Sequence, residues 1–203
     1  TNYVVRNNLC VGGGWGFHSD MFPSAVSAGD QLGVKMYGNT FVAAESVDHW
    51  NEIPVANTTE LVVTGNAYWS TLDTSTCLEN HNAGTYLDNH WPANPSDAGC
   101  DGSGDTYGDP GLTLSTYADW TTLRDQSGAS PSWPTFANAN PAGGSAILGT
   151  GTALTSAILD IANFGQVFTA MTGAPSEANW ECALCIDALG AARASPPSKG
   201  AVE

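Results

Sequence analysis

The feature that most constrains this chain is an asparagine that recurs at the same place in three similar segments. The segments are residues 3–10, 34–41 and 61–68, and the aligned asparagines are Asn8, Asn39 and Asn66. Each segment alternates apolar and variable residues, then has Gly or Asn, the aligned Asn, and two positions later Cys or an aromatic residue. The alternation predicts a strand with one buried face. A small residue followed by Asn allows a tight bend with a positive φ.

The spacing of these segments predicts a stacked repeat. The aligned asparagines lie 31 and 27 residues apart, and strand units that recur every 20 to 50 residues or so are typical of solenoids. Stacked asparagine side chains would bond to one another as a ladder. We therefore expect an all-β fold, a parallel β-helix of about three rungs. Cys10 takes the inward position of Phe41 and Tyr68, so we expect a buried thiol.

Composition excludes several classes of partner. The 203 residues include 5 basic and 20 acidic side chains, for a formal net charge of −15. With no basic stripe to neutralise phosphates, we expect no nucleic-acid partner and no binding to anionic membranes. Only 12% of the residues are charged and seven are Trp, which does not fit a disordered chain. No segment resembles a transmembrane span or a signal peptide, so we expect no membrane insertion. We expect an extracellular protein that is secreted, on a cell surface or in a virion.

Changes along the chain predict four regions. Residues 1–70 carry the rungs, 71–110 form a loop-rich insertion, 111–192 form an irregular C-terminal section, and 193–203 form a flexible tail. The chain opens directly in a strand pattern, and solenoids avoid uncapped strand stacks. We therefore expect this chain to be part of a longer protein with earlier rungs.

Four of the five cysteines lie after the rungs. Cys77 and Cys100 lie in the polar insertion and are candidates for a disulfide that closes it. Cys182 and Cys185 form a lone C-x-x-C, which argues against a zinc site and leaves open either a bond between them or two free thiols.

Several segments follow motifs in a fixed order. Residues 34–41 read like V-x-[IV]-x-N-N-x-F. Later segments are similar to further motifs: 109–112 to DPxF, 145–149 to SPAIDAG, 160–165 to DIDGxxR and 186–191 to a closing DIGAYE. Ala146 and Leu148 stand where the second of these has its proline and its acid, and the arginine of the third is not at its place.

In this order the motifs resemble the right-handed parallel β-helix repeat proteins, which include pectate-lyase-like lyases, many glycoside hydrolases and phage tailspikes. The resemblance covers most of the chain apart from residues 71–105 and the tail. It implies the C-terminal portion of such a fold. It does not select one activity, because this family hosts several chemistries and some structural members.

The best candidate for catalysis is a group of acids and histidines on successive coils. His18 and Asp20 are two residues apart, so on a strand they share a face. Asp48, His49 and Glu52 occur at the corresponding stage of the next coil. If stacking brings them together along one groove, they suit general acid–base work on a glycosidic bond. The alternative is a set of solvated loop residues with no joint role.

Two other groups are candidate binding sites. Asp101, Asp105 and Asp109 lie in a Gly-rich loop, and carboxylates of this kind suit Ca²⁺, although their spacing departs from the EF-hand pattern and a solvated acidic loop is the alternative. Trp15 and Trp50 have polar neighbours and are candidates for stacking on sugar rings, or they cover the edges of the core.

We therefore expect an extracellular, carbohydrate-associated β-helix protein that is either a polysaccharide hydrolase or lyase or a glycan-binding spike. Its partner would be a polysaccharide or other glycan. The alternative is a non-catalytic component of a surface, filament or virion that self-assembles as a homo-oligomer or filament. A β-sandwich lectin would need hairpin turn signals, and these are scarce.

Overall fold

The computed structural model describes residues 3–11, 17–19, 34–43, 49–51, 61–70, 84–93, 101–112, 136–151 and 187–203. These ranges contain eleven strands and one short 3₁₀ helix, Phe136–Ala139. The strands are β1 (Tyr3–Arg6), β2 (Leu9–Val11), β3 (Phe17–Ser19), β4 (Val34–Tyr37), β5 (Thr40–Ala43), β6 (His49–Asn51), β7 (Leu61–Thr64), β8 (Ala67–Ser70), β9 (Gly84–Leu87), β10 (His90–Trp91) and β11 (Thr106–Tyr107). No helix in these ranges is long and apolar enough to cross a membrane.

The strands form three parallel sheets. The first sheet has the order β1-β4-β7-β9, the second β2-β5-β8-β10-β11, and the third pairs β3 with β6. Every strand pairing is parallel. From β1 to β7 the chain visits the first, second and third sheets in turn and then returns to the first, and the strands described after β7 belong to the first and second sheets. The predicted all-β class is thus confirmed at the level of a strand-rich structure built from parallel sheets.

Each passage from the first sheet to the second is a two-residue bend. Its first residue has a positive φ, which is +53° at Asn7, +59° at Gly38, +63° at Gly65 and +54° at Asp88. Glycine adopts this left-handed region freely, and Asn and Asp tolerate it better than other residues. The second residue of each bend is an asparagine. The four are Asn8, Asn39, Asn66 and Asn89.

The second sheet buries a stack of aromatic rings. Phe41 and Tyr68 have ring centroids 5.1 Å apart and planes 12° apart, and Tyr68 and Trp91 follow at 4.3 Å and 6°. The three rings occupy register positions on strands that lie about 4.8 Å apart, so parallel pairing itself places them face to face. The spacing of the strands therefore determines how the core packs.

A fourth unit lies inside the stretch predicted to be a loop-rich insertion. Strand β9 pairs in parallel with β7, and β10 pairs with β8. This unit has Gly84 at the first apolar position and Asp88 before Asn89. Because of those two departures, the sequence pattern did not predict this unit.

The segment 193–203, predicted to be a flexible tail, packs against the second sheet. The Gly200 amide donates to the Gly65 carbonyl at 2.8 Å, and the Ala201 amide donates to Thr40 Oγ1 at 2.9 Å. Ala201 and Val202 are fully buried. The tail prediction was wrong because it rested on local composition, whereas these contacts come from residues far away in the sequence.

Two of the motif segments near the end of the chain help to form this core. Leu112 and Ile147 belong to the same buried cluster as Ala67 and Val202. In a third segment, Asp187 Oδ1 accepts bonds from the amides of residues 189 and 191 at 2.8 and 2.9 Å. The motif at 160–165 lies outside the described residues.

Gly200 is a sensitive point of the C-terminal packing. A Cβ at this residue would lie 2.7 Å from Thr40 Oγ1 and 3.2 Å from Ala67 Cβ, whereas a Cβ at Gly190 would meet nothing within 4 Å. Both glycines have positive φ, +100° and +80°. We expect Gly200→Ala to destabilise the fold by about 1–3 kcal/mol more than Gly190→Ala, because only the former adds an overpacked contact to the backbone strain. Urea unfolding measures both, and equal losses would contradict the packing described here.

Candidate functional site

The predicted asparagine ladder is present and continues to a fourth residue. Asn39 Oδ1 accepts from the amide and the Nδ2 of Asn8, both at 3.0 Å. Asn66 Oδ1 accepts from the same two groups of Asn39 at 3.1 and 2.9 Å. Asn89 Oδ1 accepts from those of Asn66, both at 3.1 Å. Every bond in this column runs in the same direction, from each unit to the next along the chain.

The ladder side chains also bind the first sheet. Nδ2 of Asn39 donates to the Val5 carbonyl at 2.9 Å, and Nδ2 of Asn89 donates to the Val63 carbonyl at 2.9 Å. Nδ2 of Asn66 similarly reaches the carbonyls of residues 36 and 64. These three asparagines are 0% exposed, and a buried amide without partners would cost about 1–3 kcal/mol. The ladder therefore holds the two sheets in a fixed relation.

Asp105 ends the ladder as a fifth side chain that only accepts. Its Oδ1 accepts a hydrogen bond from the Asn89 backbone amide at 2.7 Å. Its Oδ2 accepts from Trp91 Nε1 at 2.8 Å and from the Gly102 amide at 3.1 Å. Burial raises the pKa of Asp105, and the hydrogen bonds to the carboxylate oppose that rise. An ionised carboxylate has no hydrogen to donate, so the column ends here.

Lys199, in the C-terminal segment, is 0% exposed. Its Nζ donates to the Gly104 carbonyl at 2.6 Å, to Thr106 Oγ1 at 3.1 Å and to the Asn89 carbonyl at 3.3 Å. Burial lowers the pKa of Lys199, while the charges of Asp88 and Asp105 favour the ammonium form. The three bonds use all the hydrogens of an ammonium group.

His90 completes this group, which we call the Lys199 cluster (His90, Asp105, Thr106 and Lys199). His90 Nε2 lies 2.8 Å from the Gly108 carbonyl, which can only accept, so we assign the ring proton to Nε2. Nδ1 then accepts from the Thr106 hydroxyl at 2.8 Å. Burial lowers the pKa of His90 to about 4. The cluster binds the C-terminal segment to β10 and β11 through side chains whose nitrogens all have partners.

Arg193 binds the same segment at a second point. Its Nη2 donates to Asn7 Oδ1 at 3.1 Å and to the Gly200 carbonyl at 2.8 Å, and its Nη1 donates to the Ser198 carbonyl at 3.2 Å. The segment is thus bound to both ends of the ladder by buried or half-buried cations. Sequence reasoning missed both cations because it took the segment for a mobile tail.

The histidines predicted to act in catalysis lie on the third sheet. Its register pairs His18 with Trp50 and Phe17 with His49. His18 and His49 are therefore one residue out of register rather than stacked. Asp20, Asp48 and Glu52 lie outside the described residues, so the assembly of all five groups in one groove stays a prediction.

The three aspartates predicted to bind Ca²⁺ have separate partners. Asp101 Oδ1 accepts from the Tyr107 hydroxyl at 2.6 Å, Asp109 Oδ1 accepts from the Gly111 amide at 2.8 Å, and Asp105 belongs to the ladder. Within the described ranges, no group of three or more His, Cys, Asp or Glu side chains could hold a metal ion. These carboxylates therefore do not come together as a ligand set. The match of residues 104–107 to 65–68, Gly-Asp-Thr-Tyr against Gly-Asn-Ala-Tyr, was the signal for a fifth unit.

The remaining candidates are divided between described and undescribed parts of the chain. Trp50 lies in β6, while Trp15, Cys77 and Cys100 lie outside the described residues. Cys10 occupies the predicted register position, yet its thiol is exposed rather than buried. The reason is that β2 is the edge strand of the second sheet, with a described neighbour on one side only.

A scan against protein-family models and a search of the curated proteins found no match to this chain. Membership of the β-helix family therefore stays a prediction.

The loss of stability on replacing a ladder asparagine should depend strongly on where that asparagine lies in the ladder. Asn66→Ala leaves buried donors on Asn39 and a buried acceptor on Asn89 without partners, so we expect a loss of about 3 kcal/mol or more in the free energy of unfolding. Asn8→Ala removes an exposed ladder residue, and we expect a loss of about 1 kcal/mol because water replaces its bonds. Urea unfolding of both variants tests this, and losses of similar size would count against the ladder as a buried network.

His90 predicts a dependence of stability on pH. Its pKa is about 4 in the folded state, whereas an unperturbed histidine has a pKa of 6.5, so between these values the unfolded chain binds more protons. Stability should therefore fall as the pH decreases from about 6.5 to about 4, by about 3 kcal/mol in total. Asp105, whose pKa is raised, acts in the opposite sense at the acidic end of this range.

Comparison with His90→Gln isolates the histidine, because the carboxylates titrate in both proteins. We expect the variant to lose most of the dependence between pH 4 and 6.5, measured by urea unfolding at several pH values. An unchanged slope would show that His90 is not responsible.

Proposed function

We propose that the three sheets wind as a right-handed parallel β-helix, and that the protein is an extracellular, carbohydrate-associated protein that binds a polysaccharide on its third sheet. The stretch from β1 to β7, which passes twice through the first, second and third sheets in that order, supports this winding. So does the ladder, which joins successive units at the same bend. Crossovers between parallel strands are right-handed in nearly all known cases.

The third sheet is the best place for a glycan because the other two sheets have other roles. The first and second sheets share the ladder, and the C-terminal segment packs against the second. The observation that carries the proposal is the register pair His18–Trp50, which puts a histidine and a tryptophan at partner positions on neighbouring parallel strands about 4.8 Å apart. An indole offers a face for a sugar ring, and an imidazole bonds to hydroxyl groups.

Charge narrows the class of glycan. The chain carries a formal net charge of −15, so its field repels polyanions and slows their approach. We therefore expect neutral polysaccharides to bind better than uronic-acid polymers. This preference should weaken at high salt, which screens the repulsion.

The test is binding to a panel of neutral and anionic polysaccharides, measured by affinity electrophoresis and calorimetry. We expect Trp50→Ala to weaken binding by about tenfold, the equivalent of 1.4 kcal/mol. Tyr107→Ala is the matched control, because it removes an exposed aromatic side chain from the second sheet. Equal losses in the two variants would overturn the assignment of the third sheet. Release of reducing ends or unsaturated products by the wild-type protein would add hydrolase or lyase activity to binding.

The second candidate is a non-catalytic structural component. It is favoured because Arg193, Lys199 and Asp105 form hydrogen bonds to other groups of the same chain. These charged side chains stabilise the fold and are not directed toward a substrate. Absence of binding across the whole panel, with the fold intact by circular dichroism, would support this candidate over the first.

A further inference from the structure

One end of the strand stack has no further strand among the residues that the structure describes. Strands β1 and β2 stand last in the first and second sheets, and each pairs with a single described strand. Asn8 and Cys10 at this end are exposed, whereas Asn39 and Phe41 at the equivalent positions one unit along are 0% and 2% exposed. Such an edge offers backbone donors and acceptors to another strand.

The direction of the ladder determines whether this edge needs a hydrogen-bond donor or an acceptor from a partner. In each later unit, the asparagine Oδ1 receives two bonds from the preceding unit, one from a backbone amide and one from an Nδ2. Asn8 has already used both Nδ2 hydrogens, on the Arg6 carbonyl at 2.9 Å and on Asn39 Oδ1. Its Oδ1 receives no bond from the residues that the structure describes. The edge therefore needs a partner that donates, not one that accepts.

A second copy of this chain does not meet that need with either end of its ladder. The opposite end finishes at Asp105, whose carboxylate has no hydrogen to give and whose backbone amide already donates to the Gly102 carbonyl at 3.2 Å. Head-to-tail stacking would place this carboxylate against the Asn8 oxygen. Head-to-head stacking would bring two Asn8 oxygens together, with no free hydrogen on either side chain. Self-assembly as a filament would have to use another surface.

We propose that the edge formed by β1, the Asn7–Asn8 bend and β2 binds one strand–bend–strand segment of a partner polypeptide, added in parallel as a further unit. The segment has the pattern apolar-x-apolar-x-small-Asn-x-aromatic. Its asparagine donates the backbone amide and Nδ2 to Asn8 Oδ1, as Asn8 does to Asn39. Its aromatic ring extends the stack of Phe41, Tyr68 and Trp91 across Cys10. Addition of a strand to an exposed edge is an established mode of peptide recognition.

Cys10 reports on this edge, because its thiol is exposed and lies in the strand that the partner would cover. The probe is a peptide that copies residues 61–70, and its matched control is the same peptide with Asn66→Asp, which cannot donate from the side chain. The measurement is the rate of maleimide addition at Cys10 in the whole protein, read by mass spectrometry of the fragment that contains Cys10.

We expect the asparagine peptide to slow alkylation of Cys10 by about tenfold at about ten times its dissociation constant, since only the free edge reacts. The aspartate peptide should give little protection. In the Asn8→Ala variant the two peptides should protect alike, because the acceptor that distinguishes them is gone.

Four results would overturn the proposal. They are equal protection by both peptides on the wild-type protein, protection by neither, discrimination that survives in Asn8→Ala, and a Cys10 that is unreactive without peptide. Sedimentation separates the causes of the last result. If the unreactive protein is monomeric, its own chain covers the edge, and if it is associated, a second copy does. None of these results bears on glycan binding at the third sheet, so the two proposals fail independently.

Discussion

Everything else in this structure depends on giving hydrogen-bond partners to the polar groups at the buried bends. A bend of only two residues between the first and second sheets leaves a backbone amide in the interior. The asparagine of the next unit accepts that amide, and its own amide group then repeats the arrangement one step further. Because each side chain also reaches a first-sheet carbonyl, a single residue type sets the register of both sheets. The face-to-face aromatic rings follow from that register rather than producing it.

A hydrogen-bonded column with a direction has two unlike ends. At Asp105 the column finishes in a carboxylate, and the charges of Asp88 and Asp105 favour the ammonium form of Lys199. Burying a lysine is costly unless its charge and all three hydrogens are compensated. Here three acceptors surround Nζ. Because Lys199 belongs to the C-terminal segment, the same hydrogen bonds hold that segment against the residues at which the ladder ends.

Sequence reasoning succeeded where the determinants of structure are local. Alternation followed by an asparagine identified the units at Asn8, Asn39 and Asn66, because strand and bend chemistry are both encoded within eight residues. It missed Asn89, whose unit opens with glycine. It assigned Asp105 to a calcium site because a carboxylate in a Gly-rich loop looks the same whether its partners are a metal or backbone amides.

The errors at the two termini have a different origin. The burial of segment 193–203 depends on Thr40 and Gly65, and no local pattern around residue 200 refers to them. The exposure of Cys10 depends on the position of β2 at the edge of the second sheet, where β5 is its only described neighbour. Both are properties of the assembled stack, and neither can be read from one segment.

The docking of the C-terminal segment has a consequence for synthesis of the chain. Neighbouring ladder residues are 31, 27, 23 and 16 positions apart, so each unit can join the stack soon after it leaves the ribosome. The bonds from Arg193 to Asn7 and from Ala201 to Thr40 span 186 and 161 positions. Until those last residues emerge, Val42 and Ala67 lack the cover of Ala201 and Val202. A nascent chain that still lacks residues 201 and 202 would leave part of this apolar cluster without its C-terminal members, and chaperones bind exposed apolar surface of this kind.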